Sequence, residues 1–191
     1  MELMVINYCG EGGFRLQNGS LSVLINPPNN RLKADVVLKT ETDLAHLNLN
    51  QIGEITVPGE YEVQGIEITG WMIPDESNQK SIKTAYLIKW EDISFVFLGA
   101  TKKMPSAEIL ENFNDPSIVF VPFGGSYLNQ EDVLKMVKQL EPAVVIPTFS
   151  ADEKLVSKVF GQNITTQDKF VFKKKDLELG KMQVILLKEN V

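Results

Sequence analysis

Apolar and polar positions alternate with a period of two through much of the first hundred residues, and take a helical period in three later windows. Residues 3–8 and 21–25 predict strands, joined through Gly10, Gly12, Gly13 and an Asn18-Gly19 turn. Asn-Gly between apolar runs favours a hairpin because both residues tolerate positive φ. Pro27-Pro28-Asn29-Asn30 then ends that unit. Runs 34–39, 117–122 and 143–147 are apolar almost throughout, which predicts strands buried on both faces. Residues 54–57 and 63–69 predict strands around a Pro58-Gly59-Glu60 turn, and 84–90 and 93–98 a hairpin turning at Glu91-Asp92. Residues 43–50 offer a weak helical turn, and 75–81 a polar loop. The helical windows are 106–113, with Ser106 as cap and Ile109, Leu110 and Phe113 facing inward, then 129–140 and 152–160. Val133, Met136, Val137 and Leu140 share one face of the second, and Gly161 closes the third. The tail, 170–174 and 182–188, predicts a final hairpin turning near Leu179-Gly180, docked through Val171, Phe172 and Val184-Ile185-Leu186-Leu187. No linker or repeat interrupts the pattern, so one domain over 1–191 is expected. Strands followed by strands alternating with helices suit an α/β layered sandwich.

Composition narrows the partners. Hydrophobic residues make up 43% and charged residues 23%, as in ordinary globular chains. No apolar run approaches the roughly 20 residues of a membrane helix, so no membrane role is expected. Met1-Glu2-Leu3-Met4 carries an acid where a signal peptide carries base. The single cysteine, Cys9, excludes an internal disulfide and points to a cytoplasmic location. A net charge of −6 repels phosphate backbones, so general nucleic-acid binding is not expected. His46 is the one histidine, which rules out a multi-histidine metal site within the chain.

Each candidate motif has a plain alternative. Gly10-Glu11-Gly12-Gly13-Phe14 is glycine-rich, but a strand rather than a helix follows it, so a tight bend is the better reading than a phosphate cradle. Lys173-Lys174-Lys175 reads as protection of an edge strand. Cys9 reads as a small buried apolar residue rather than a nucleophile, since its one candidate base is His46. Gly124-Gly125 sits where a parallel strand ends, either a ligand-facing turn or a simple strand-to-helix bend. Glu41, Asp43 and His46 follow the 34–39 strand and could bind one metal weakly, although a polar loop is favoured.

At residues 34–47, Ala-Asp-Val-Val-Leu-Lys-Thr-Glu-Thr-Asp-Leu-Ala-His-Leu, the chain resembles the metal-motif region of the metallo-β-lactamase superfamily. More narrowly it is similar to the small prokaryotic branch of zinc-dependent hydrolases with that fold. The likeness continues through Pro58-Gly59-Glu60-Tyr61-Glu62-Val63-Gln64-Gly65, Leu98-Gly99, Val121-Pro122-Phe123-Gly124-Gly125, residues 141–147 and Asp168-Lys169-Phe170. It implies a four-layer αββα sandwich, with an active-site cleft at one edge between the sheets. It also exposes departures. Glu41 and Asp43 stand where the family has its first two motif histidines, Ala45 matches the motif aspartate, and His46 is the surviving histidine. The Ile-Asp-Pro phrase has become Ile25-Asn26-Pro27, and Asp75 matches the family's loop histidine. Ala100 stands for the bridging aspartate and Phe149 for the final histidine. Methyl and benzyl groups cannot ligate a cation, and the family reaction depends on a metal-bound hydroxide. The resemblance therefore implies a pseudoenzyme with no cofactor. Its cleft, lined by Glu41, Asp43, His46, Asp75, Ala100, Gly125 and Phe149, would take a small molecule or protein, or join copies of the chain. The alternatives are a hydrolase with a rebuilt site, one weakly bound divalent cation on Glu41, Asp43, His46 and Asp75, and a purely structural subunit.

Overall fold

The computed structural model describes residues 3–47, 53–149, 152–177 and 182–190. Two facing sheets form the frame. Strands β1 (Met4–Gly10), β2 (Gly13–Asn18), β3 (Leu21–Ile25), β4 (Val36–Leu38), β6 (Glu54–Ile55) and β13 (Phe170–Phe172) build a six-stranded sheet in the order β13-β1-β2-β3-β4-β6. The other sheet runs β14 (Gln183–Val184), β12 (Val144–Thr148), β11 (Ile118–Pro122), β10 (Ile93–Phe97), β9 (Ser81–Trp90), β8 (Ile66–Met72) and β7 (Gly59–Val63). Strand β5 (Glu41–Asp43) pairs antiparallel with the start of β9. Strands β10, β11, β12 and β14 are mutually parallel, the arrangement that carries helices across one face. Helices α1 (Ala107–Glu111), α2 (Gln130–Leu140) and α3 (Glu153–Phe160) supply that cover. The fold is the mixed α/β sandwich of two sheets that the resemblance implies.

Strand alternation divides the buried side chains between two cores. Phe14, Phe95, Phe97, Phe120 and Ile146 fill the space between the sheets, where Phe97 and Phe120 stack with centroids 3.9 Å apart. Val96, Val119, Val121 and Val145 face the helices, meeting Phe113, Val133, Met136 and Leu140. Helix α2 is fixed at one end by Asn129, whose side chain accepts from the Asp132 N–H at 2.9 Å, and at the other by Glu141 in the left-handed region. Asp152 caps α3, and Gly161 closes it. Ser106 sits at the cap position of α1 without a side-chain bond to the backbone.

Strands β11 and β12 are buried on both faces, as their composition predicts. The 34–39 run is not. Val36 and Leu38 are buried, but Val37 is half-buried and Asp35 exposed, because the described helices cover the other sheet. Val145→Ala should therefore cost about 1–3 kcal/mol, and Val37→Ala about 1 kcal/mol or less. Denaturant midpoints measure both, and equal shifts would contradict this placement.

Several local expectations change. The Pro58-Gly59-Glu60 segment starts β7 instead of forming a turn, and the chain reverses at Gln64-Gly65, both at positive φ, to pair β7 with β8. Ser81 leaves the expected polar loop, and β9 begins there instead of at Thr84, because β5 supplies a partner. The tail is not a hairpin: β13 pairs with β1 in one sheet and β14 with β12 in the other. Its expected turn at Leu179-Gly180, and the 48–50 end of the weak helical turn, lie outside the described residues. Val171 stays 41% exposed, while Phe172 and residues 184–187 are buried. The lysine triplet leaves the edge strand and enters a 3₁₀ turn, Lys174–Asp176. No helix of the described residues is long and apolar enough to cross a membrane.

Candidate functional site

The candidate residues lie on loops and short elements at the ends of strands. The Glu41–Asp43 segment, expected as a polar loop, is strand β5, held at its middle by the buried Thr42, whose hydroxyl donates to the Thr56 carbonyl. Alternation then turns Glu41 and Asp43 to the opposite face. Just upstream, the Thr40 N–H donates to Asn26 Oδ1 and the Asn26 amide donates to Thr40 Oγ1, each at 2.8 Å. Asn26 thus ties the end of β3 to the start of β5. A Cβ at Gly99 would strike the Thr40 hydroxyl, so glycine is needed where the chain leaves β10.

Asp43 caps a one-turn 3₁₀ helix, Leu44–His46, accepting from the Ala45 N–H at 2.9 Å. Its second oxygen meets His46 Nδ1 at 2.9 Å. That backbone bond, then the imidazole, hold the Asp43 carboxyl below the usual carboxylate range. Both side chains face water, with 83% of the His46 side chain exposed. The lone histidine therefore points away from the fold's interior, and Cys9, buried in the core, has its thiol pushed up by burial. Cys9 and His46 do not form a nucleophile–base pair.

A polar cluster that sequence reasoning missed lies beside Glu41. Glu41 and Lys83 are direct register partners across β5 and β9. Lys83 Nζ donates to the Ala100 carbonyl at 2.9 Å and pairs with Glu76 Oε2 at 3.2 Å, with Glu41 Oε2 at 3.9 Å. The Lys83 and Glu76 side chains are 12% and 8% exposed, whereas Glu41 is half-exposed. Glu76 Oε1 accepts from the backbone N–H groups of Lys102 at 2.5 Å and Lys103 at 2.7 Å. Burial alone would push the Glu76 carboxyl up, yet these N–H donors and the ammonium hold it below its usual range. Asp75, its neighbour in the 3₁₀ turn Pro74–Glu76, is exposed. The usable carboxylate of this turn is Glu76. The signal available was a lysine just before the apolar run Ala85–Ile88.

Beyond β12, Phe149 stacks on Tyr127 with centroids 4.2 Å apart at 22°. A Cβ at Gly12 would run into the Phe149 ring, so the glycine-rich bend exists partly to admit this aromatic group. Phe149 holds φ at +63°, a strained conformation for a bulky residue. Gly125 is exposed on the loop between β11 and α2. Glu41 and Asp43 border an open groove of about 880 Å³ with Leu44, Ala45, Gln79, Lys80 and Ser81. His46, Asp75, Ala100, Gly125 and Phe149 are not part of that rim.

These residues do not fit the zinc centre that the fold implies. Tetrahedral zinc needs four convergent nitrogen, sulfur or carboxylate donors. Ala100 offers a methyl group and Phe149 a stacked benzyl group, neither of which can ligate a cation, and an ammonium lies within 3.9 Å of Glu41. Among the described residues, no group of three or more His, Cys, Asp or Glu side chains could hold a metal ion.

The pattern of two sheets with loops converging at strand ends has a direct counterpart among known families. The model of the beta-lactamase superfamily domain matches residues 5–149. The chain belongs to this superfamily. Its fold aligns with a protein of Thermotoga maritima assigned to the Zn-dependent hydrolases of the metallo-β-lactamase superfamily, at 20% identity and a TM-score of 0.76, covering 96% of this chain and 98% of that one. Igni18, a metallo hydrolase of Ignicoccus hospitalis, aligns at 18% identity and a TM-score of 0.66, covering 90% and 99%. YhfI of Bacillus subtilis, a metallo-β-lactamase fold protein, aligns at 10% identity and a TM-score of 0.60, covering 96% of each. No curated protein matches. The β-lactamase superfamily fold is thus kept nearly end to end.

Proposed function

We propose that this superfamily member is non-hydrolytic and acts by binding or assembly through the former active-site cleft. The observation that carries this reading is the polar cluster itself. At the position of the family's bridging aspartate, Ala100 offers only a backbone carbonyl, and that carbonyl already accepts from Lys83. Water activation in this family is the work of a metal-bound hydroxide, and among the described residues no group of three or more His, Cys, Asp or Glu side chains could hold that metal. His46 is hydrogen-bonded to Asp43 at the surface, remote in character from a buried general base. The groove beside Glu41 and the Phe149–Tyr127 stack instead offer a mixed polar and aromatic surface, suited to an organic ligand, a protein segment or a second copy of the chain. A single domain in the cytoplasm belongs to this reading, supported by the two sheets sharing one core and by the single cysteine.

Protein purified without chelator should contain less than about a tenth of a zinc per chain, since tight zinc binding requires a full ligand set. EDTA should leave the melting temperature unchanged, and hydrolysis of phosphodiesters, lactams and esters should stay at the blank. One tightly held zinc or manganese per chain, with turnover lost on chelation, would replace this reading with the rebuilt-site hydrolase. Loss of that turnover in the Glu41→Ala/Asp43→Ala double variant would confirm the replacement.

A further inference from the structure

We propose that the Lys83 ammonium is the resident cation of this cleft, a covalently attached replacement for the family's metal ion. The inference goes beyond the non-hydrolytic reading, because it assigns what fills the position rather than what is missing from it. Lys83 Nζ lies 3.9 Å from Glu41 Oε2 and 2.9 Å from the Ala100 carbonyl oxygen. Those are the two residues that match the first motif histidine and the bridging aspartate of the superfamily. Glu76 Oε2, at 3.2 Å, completes a set of three oxygens around one positive centre. The ammonium donates to the Ala100 carbonyl oxygen and Glu76 Oε2, while its full charge, at 3.9 Å, offsets that of Glu41 without a hydrogen bond. Backbone N–H groups of Lys102 and Lys103 fix the other oxygen of Glu76, which keeps Oε2 aimed at Lys83.

Two carboxylates and a carbonyl are hard oxygen donors of the kind that calcium, manganese and magnesium accept. A divalent ion approaching them now meets a full positive charge held in a side chain that is 12% exposed. Removing that charge should leave the oxygens in place with no counter-ion. The cluster would then take up a small cation from solution.

The test is calorimetric titration with MnCl2, CaCl2 and ethylammonium chloride, with melting curves, on the full chain. Wild-type protein and Lys83→Arg should show no saturable uptake. Lys83→Ala should melt lower, bind manganese at least about tenfold more tightly than wild type, and regain its melting temperature with manganese or ethylammonium. Adding Glu76→Gln should abolish the gained binding. Stoichiometric manganese on the wild type, or a Lys83→Ala protein that melts like wild type and binds none of these cations, would overturn the proposal. So would gained binding that survives Glu76→Gln. If Lys83→Ala does not fold, Lys83→Met keeps the stem and removes only the charge: a melting temperature equal to the wild type's would overturn the proposal, and a lower one would support it. The readouts are cation uptake and melting, so failure here leaves the hydrolysis assays to judge the non-hydrolytic reading separately.

Discussion

A chain ending at Lys169 should be recovered as aggregate, or as soluble material without a cooperative melt. The segment that this truncation removes contributes to both sheets. Phe170–Phe172 closes the edge of the six-stranded sheet, with Met4 opposite Phe172 and Ile6 opposite Phe170. Gln183–Val184 extends the other sheet beside β12, and the Ile185 N–H donates to the Val145 carbonyl at 2.9 Å. Past that point the side chains divide between the two cores. Val184 and Leu186 join the helix-facing core, while Ile185 and Leu187 join the core between the sheets. With Phe172, these are five apolar side chains, each 7% exposed or less. At about 2 kcal/mol each, their burial is worth roughly 10 kcal/mol. That matches the whole net stability of an ordinary domain, about 5–15 kcal/mol. Removal would also uncover β1 and β12 as unpaired edges, a template for association. A soluble truncation with an unchanged melting temperature would show that the two cores stand without this tail.

The tail also shows where reading from sequence stops. Its alternating apolar residues mark two strands correctly, but nothing local says that each joins a different sheet. Pairing is set by distant partners, here Met4–Ile6 and Val144–Val145. Strands β11 and β12 were legible because a residue run buried on both faces is apolar at every position. Helix α2 was legible because its buried face repeats at 3.6 residues and Asn129 marks its start. The turn at Gln64-Gly65 was hidden by the stronger Pro58-Gly59 signal, although the polar Gln-Gly pair between two apolar runs has its own turn chemistry. At the site, the Lys83 cluster was not legible. That Ala100 and Phe149 stand where the family has ligands is what the resemblance implies, since a methyl or a ring cannot ligate a cation. That Lys83 would meet Ala100, 17 residues later, depends on the pairing of β5 with β9 and on the loop after β10.

Glu76→Ala should be the most costly single change at that cluster, lowering stability by roughly 3 kcal/mol. Deleting one partner of a near-buried ion pair leaves the other charge without compensation, which typically costs about 3–5 kcal/mol. The remaining Ala100 carbonyl and Glu41 place this case at the lower end. The change also removes the acceptor of two backbone donors, the Lys102 and Lys103 N–H groups, at the exposed turn that follows β10, where water takes its place. Glu76→Gln keeps an acceptor for them and loses only the charge, so its cost should be smaller. The pH dependence separates the electrostatic share. The folded-state Glu76 carboxyl is held below its ordinary value of 4.5, so between the two values the unfolded chain binds more protons than the native one. Its contribution is fully present above pH 4.5 and is lost as pH falls through the lower folded value. Urea midpoints from pH 7 to pH 3 should therefore fall more steeply for the wild type than for Glu76→Gln, with the gap between them closing on acidification. Parallel acid limbs would mean that the carboxylate is not charged against Lys83 in the folded protein. A Glu76→Ala protein as stable as the wild type would mean that the loop after β10 is held by something other than this carboxylate.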